Sequence, residues 1–192
     1  KEKYLGIANE GFNIISSQFS LHYYFKDEQS LNGLISNLNE NIKKGGYFIG
    51  TCYNGMKIFD HFNKIRSIYQ DTILELETDT DDEESKKDLS DLLDNINRYY
   101  LRDTLDGPLI FEIEKKYDIE NFDYNKDDIS NMFGNEIDVY MDSIGQKITE
   151  YLVNFDFFTD IMDQNGFELV SPNVSNDIIF QKKYFENNLG SF

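Results

Sequence analysis

The order in which hydrophobic spacing changes along the amino-terminal third constrains this fold most. Phe12–Phe19 (FNIISSQF) is a short apolar, β-branched run closing in small polar residues, the pattern of a buried strand. Leu31, Leu34, Ile35, Leu38 and Ile42 then recur at helical spacing, and the pair Gly45-Gly46 is the expected stop. Tyr47–Cys52 (YFIGTC) predicts a second strand, and Ile58, Phe59, Phe62, Ile65 and Tyr69 a second helix. Parallel neighbours cannot be joined by a tight turn, so strand, helix, strand, helix predicts a parallel sheet with crossover helices.

The later segments change character. Leu89, Leu92, Leu93, Ile96 and Tyr100 predict an amphipathic helix, broken at Gly107-Pro108 before a strand over Leu109–Ile113. Ile137–Ile144 and Ile148–Val153 are expected as strands around the turn Gly145-Gln146. Phe157, Phe158, Ile161 and Met162 predict a short helix, ended by Asn165-Gly166 ahead of a last strand, Phe167–Val170. No internal repeat is visible. The fold class is α/β, a parallel core followed by a more antiparallel region.

Charge narrows the function classes. The 192 residues carry 36 acidic against 18 basic side chains, a net of −18, yet 15% are aromatic, too many for a disordered acidic tail. Ten acidic residues between Glu75 and Asp94 face only Lys86 and Lys87, and ten between Glu112 and Asp142 face Lys115, Lys116 and Lys126. The first segment is expected to be a solvated loop or flexible insertion at about 75–94. It lacks the glycine and terminal glutamate of a calcium-binding loop, so no metal site is assigned. Acidity disfavours a long polyanion track. No apolar run reaches the roughly 18 residues of a membrane helix, so no membrane partner is expected. The single cysteine, Cys52, excludes an internal disulfide framework and fits a reducing compartment.

Three blocks carry a resemblance. FNIISSQFSLHYYF (Phe12–Phe25) resembles the strand-to-helix segment of mRNA cap guanine-N7 methyltransferases, where a Gln-Phe pair ends a strand and a His-Tyr pair follows. GGYFIGTCYNG (Gly45–Gly55) is similar to that family's next strand, and ITEYLVNF (Ile148–Phe155) to a later one. The blocks stand in the family's order, in a style closest to the capping enzymes of large cytoplasmic DNA viruses. The resemblance implies a partial Rossmann-like S-adenosylmethionine-dependent methyltransferase sheet, with methyl transfer from S-adenosylmethionine to guanine N7 of a GpppN cap and S-adenosylhomocysteine as product. N7 has a free lone pair and the sulfonium is already activated, so the chemistry asks for positioning and a suitable field rather than a base.

By the resemblance, Gln18 and Phe19 contact the cofactor's adenosine, His22 and Tyr23 bind the cap guanine, and Glu150 accepts from guanine N1–H and N2–H. Tyr140 is placed in the same pocket. On residue type alone Phe19 is as readily core, His22 a satisfied structural histidine and Glu150 a strand-edge carboxylate facing water. His61 is expected on the surface. Tyr24 and Tyr53 depart from the family, which tends to carry a small residue at the first position and proline at the second.

The family's glycine-rich cofactor loop is not found upstream of Phe12, and its final aromatic-rich strand is not found before Phe192. Residues 1–192 are therefore expected to be one partial methyltransferase domain, inactive alone, within a larger capping protein. The expected partners are the capped RNA 5′ end, other domains of that protein and an activating subunit. A viral protein would work in the cytoplasm and a cellular one in the nucleus. The alternative readings are a non-catalytic methyltransferase-like subunit that stabilises a capping partner, and methylation of a small molecule on the same fold.

Overall fold

The computed structural model describes residues 10–78 and 83–170. β1 (Phe12–Gln18) passes through a 3-10 turn (Leu21–Lys26) into α1 (Glu28–Asn41). Asp27 starts α1 by accepting the Ser30 N–H at 2.7 Å, satisfying one donor that a helix end leaves unpaired. Leu31, Leu34, Ile35 and Leu38 form its buried stripe, as their spacing requires.

The helix ends before the glycine pair rather than at it, because Ile42 already begins β2 (Ile42–Thr51). β1 and β2 run parallel, with Phe12 opposite Ile42 and Ile14 opposite Tyr47, so the intervening residues of β2 bulge out. Gly45 has φ +77°, and a Cβ on Gly46 would lie 2.9 Å from the Phe12 carbonyl oxygen. The pair is thus a bulge that realigns two strands.

α2 (Gly55–Ile68) is capped by Asn54, whose Oδ1 accepts the Lys57 N–H at 3.1 Å, and it buries Phe59 and Phe62. Gly55 presses on Val153: its N–H donates to the Val153 carbonyl at 3.1 Å, and a Cβ would come 2.5 Å from that oxygen. This contact joins the end of β2 to the end of the later sheet.

The acidic segment between Glu75 and Asp94 is helical on both sides of residues 79–82, in α3 (Gln70–Thr78) and α4 (Glu83–Ile96), where a loop was expected. Residues 79–82 lie outside the described residues. Glu83 and Glu84 fall in the first turn of α4, where the helix dipole favours negative charge. Tyr100 is not the last apolar position of that helix; it lies in β3 (Arg98–Arg102). All five residues of β3 are exposed, so no hydrophobic alternation announces the strand.

β3, β4 (Leu109–Lys115), β5 (Glu136–Met141) and β6 (Gln146–Tyr151) form an antiparallel sheet in that order. Ile113 is opposite Val139, and Ile137 is opposite Glu150, so these four share a face. Glu112, Glu114, Asp138, Tyr140, Lys147 and Thr149 occupy the other face. The expected architecture, a parallel unit followed by an antiparallel one, is present.

The chain divides into two compact units, Lys1–Phe158 and Thr159–Phe192. In the first, fully buried Phe25 meets the rings of Phe133, Phe157 and Phe158, and fully buried Phe122 meets Phe59. Buried Asn154 starts α5 (Phe155–Gln164) by accepting the Phe157 N–H at 3.0 Å, and its amide donates to the Phe122 carbonyl at 2.6 Å. In the second unit, α5 ends where Phe167 N–H donates to the Met162 carbonyl at 3.0 Å, with Gly166 at φ +84°. Phe167–Val170, expected as a strand, has none, because no described segment pairs with it.

Candidate functional site

The carboxyl ends of β1 and β2 lie side by side, with Gln18 opposite Thr51. Phe19 follows with φ +47°, a left-handed conformation that costs a bulky residue strain unless its surroundings hold it. Thr51 does so. The Phe19 N–H donates to the Thr51 carbonyl at 2.8 Å and to its Oγ1 at 3.3 Å. The Thr51 hydroxyl in turn donates to Gln18 Oε1 at 2.8 Å, while Gln18 Nε2 donates to Ser16 Oγ at 2.9 Å. The amide is therefore fixed, with one hydrogen and one lone pair left over. Phe19 stays 59% exposed, its ring edge against Tyr53 at 6.4 Å between centroids. Tyr53 leans on Phe111 of β4 at 6.0 Å. A strained, outward-held apolar ring beside a fixed amide suits a flat heteroaromatic ligand such as adenine.

The 3-10 turn after Phe19 packs against β6. There His22, 2% exposed, brings Nε2 to 3.5 Å from Oε2 of Glu150, itself 5% exposed. The two are close but misaligned, so neither His22 nitrogen nor Glu150 Oε2 has a hydrogen-bond partner among the described residues. Burial pushes the His22 imidazole down to about 4 and the Glu150 carboxyl up to about 7. At neutral pH His22 is uncharged, so this is not an ion pair. Tyr23 stacks its ring edge-on against His22 at 4.3 Å and is 42% exposed. Burial and the Glu150 charge raise the hydroxyls of Tyr23 and Tyr53, and they push the Cys52 thiol up to about 12. Each buried unpaired polar atom costs about 1–3 kcal/mol, so such a cluster makes sense where a ligand completes it.

The structure does not bring Tyr140 into this cluster. Tyr140 pairs with Lys147 and Glu112, one residue out of phase with Ile137 and Glu150, so it lies on the opposite sheet face. That face is a charge ladder: Lys147 binds Glu112 and Glu114, and Lys116 binds Glu114 at 2.6 Å. His61, expected on the surface, is half-buried, with its ring edge on Tyr99 at 5.1 Å and Nε2 without a hydrogen-bond partner among the described residues. An open groove of about 550 Å³ runs from Tyr23 across Ser20, Ser30 and Asn37, but neither Glu150 nor Gln18 lines it. Thr51, Tyr53 and Phe111 are neighbours that spacing did not reveal. Parallel pairing of the two strand ends would have pointed to Thr51; nothing local points to Phe111.

A parallel strand–helix–strand unit beside an antiparallel sheet, with polar and aromatic side chains gathered at the carboxyl ends of its parallel strands, is a methyltransferase-like α/β fold. Comparison with known families agrees. The chain belongs to the mRNA (guanine-N(7))-methyltransferase domain family, whose model matches residues 2–119. It is 28% identical over 198 residues to the probable mRNA-capping enzyme of Acanthamoeba polyphaga mimivirus, covering 99% of this chain and 13% of that protein. The mRNA cap guanine-N(7) methyltransferase of Saccharomyces cerevisiae is 25% identical over 187 residues, 93% of this chain and 35% of the yeast protein. That of Candida albicans is 44% identical over 48 residues, 24% of this chain and 10% of the fungal protein. The chain thus spans about a third or less of these relatives.

Proposed function

We propose that this chain supplies the guanine-reading part of an mRNA cap guanine-N7 methyltransferase within a larger capping protein. The observation that carries the reading is the buried His22–Glu150 pair with its unpartnered polar atoms. A carboxylate accepting two adjacent donors matches guanine N1–H and N2–H and rejects adenine, which offers no such pair. Tyr23, exposed beside His22, offers a ring for the base and a hydroxyl for the ribose or phosphate side. His22, uncharged, offers a neutral hydrogen-bonding edge and adds no charge near N7.

S-adenosylmethionine, when bound, supplies an electrophilic methyl on a sulfonium. Gln18 and Phe19 fit its adenine, the amide at the edge and the ring on the face. No side chain need remove a proton from N7. These residues bind and orient the two partners, and fixing two reactants in register is worth several kcal/mol of barrier. Glu150 also places a negative charge near a ring that becomes positive as the methyl arrives. The capped RNA 5′ end is the proposed substrate. Any grip on the RNA body comes from basic surface outside the acidic segments.

The test is methyl transfer from labelled S-adenosylmethionine to GpppA-RNA by the full-length protein. His22→Ala and Glu150→Ala are each expected to abolish or strongly reduce it. Full activity in both would remove the site assignment.

A further inference from the structure

We propose that Thr51 and Tyr53, at the carboxyl end of β2, are positioning residues that hold Gln18 and Phe19 in their cofactor-binding pose. The proposal rests on the functional reading above and assigns roles to two residues outside the expected site.

Phe19 cannot hold its own pose. Its backbone is left-handed, its ring is more than half exposed, and Tyr53 is the one aromatic ring it touches among the described residues. Without outside contacts the residue would relax to an extended or helical conformation and carry its ring away. Two contacts prevent this. Thr51 anchors the backbone by taking the Phe19 N–H on both its carbonyl and its hydroxyl oxygen. Tyr53 props the ring from the side, and is itself braced on Phe111 of the antiparallel sheet.

The Thr51 hydroxyl has a second task. By donating to Gln18 Oε1 it decides which end of the amide faces Ser16, and therefore which atoms remain for a ligand edge. A valine keeps the shape and the backbone carbonyl but leaves the amide free to turn over. Both residues thus act on the donor side through another residue, not by contact with the reacting atoms.

The experiment is calorimetry of the full-length protein with S-adenosylhomocysteine and, separately, with GpppA, on Thr51→Val, Thr51→Ser, Tyr53→Leu and Tyr53→Phe. A neutral hydrogen bond is worth about 1 kcal/mol, so Thr51→Val should weaken S-adenosylhomocysteine roughly fivefold. Tyr53→Leu should do the same or more. GpppA affinity should stay within about twofold in Thr51→Val, a readout that a general loss of structure would not spare. Thr51→Ser keeps the hydroxyl and Tyr53→Phe keeps the ring, so both should restore S-adenosylhomocysteine binding. Unchanged S-adenosylhomocysteine affinity in Thr51→Val and Tyr53→Leu overturns the proposal and leaves the functional reading intact. So does an equal loss of both ligands in Thr51→Val. A wild-type protein that binds neither ligand overturns the functional reading and this proposal with it.

Discussion

Replacing Glu150 with glutamine should make the protein more stable and less able to bind a cap, and the size of the first effect follows from burial. Glu150 is 5% exposed, and its carboxyl is raised from 4.5 to about 7 by desolvation. Above pH 7 the folded protein holds a charge that the unfolded chain carries at lower cost. Each pKa unit is about 1.36 kcal/mol, so the difference amounts to about 3 kcal/mol. A raised folded pKa contributes stability below the unfolded value, and that contribution is lost as pH rises through about 7. Glu150→Gln cannot ionise, so it should match the wild type near pH 4.5 and exceed it at pH 8. For a chain of this size that is a melting difference of roughly 6–12 °C. His22 works in the opposite sense, its contribution being lost as pH falls from 6.5 towards about 4. At pH 8 it is neutral in both proteins and does not enter the difference there. The assay is thermal unfolding by circular dichroism from pH 4.5 to 8.5, with GpppA binding measured on the same samples. Cap affinity should fall about a hundredfold in the variant, since two charge-assisted bonds are lost. Wild-type affinity should weaken as pH drops below about 7, a dependence the variant should lack. A melting difference independent of pH would refute the reasoning.

Three further outcomes follow from local geometry. Asn154→Ala removes a helix cap and a buried bond to the Phe122 carbonyl, and should lower stability by about 2–3 kcal/mol in urea unfolding. Glu114 is pulled down to about 2: burial acts to raise it, but hydrogen bonds from Lys116 and Lys147 and the charges of Lys147 and Arg98 outweigh burial. Its stabilisation is full above 4.5 and lost as pH falls towards about 2, so Glu114→Gln should flatten the acid limb of the unfolding curve. Cys52, held up to about 12 by burial and then by the Glu150 charge, should react slowly with iodoacetamide at pH 8 and faster in Glu150→Gln.

The parallel unit was legible because its signals are periodic and local: β1, the buried stripe of α1 and the YFIG run of β2 declare themselves by spacing. Errors arose where one local signal serves two structures. A glycine pair after an amphipathic run fits a helix stop and a bulge equally, since both use φ > 0, and the pairing of Phe12 with Ile42 decides it. Tyr100 sits one helical turn beyond Ile96, which made it look like part of α4; pairing with β4 claims it instead. Tyr140 shows what register controls. That it neighbours Glu150's strand follows from the turn at Gly145, but which face it takes depends on where that turn closes, and one residue reverses the answer. The meeting of His22 with Glu150 is set by the packing of the 3-10 turn on β6, which spacing does not encode.

The acidity that disfavoured a nucleic-acid partner also changes weight once partners are placed. The segment from Glu112 to Asp142 looked like a block of net negative charge with three lysines of its own. In the sheet, Glu112 and Glu114 are met by Lys147, and Glu114 also by Lys116 and by Arg98 at 3.7 Å. Arg98 and Lys147 come from outside the segment, so counting along the chain overstated its field. The ladder also lies on the face turned away from Glu150, so its charges act on the proposed site only across the sheet. The charge buried within the proposed site is the Glu150 carboxylate, half-ionised near pH 7. One desolvated carboxylate is a recognition element for a base and a modest repulsion for the triphosphate beyond it. Cap binding by this site should therefore vary little with salt, unlike a protein that grips phosphates along a duplex. A steep loss of GpppA affinity between 50 and 200 mM salt would mean that phosphate contacts, not base recognition, dominate here.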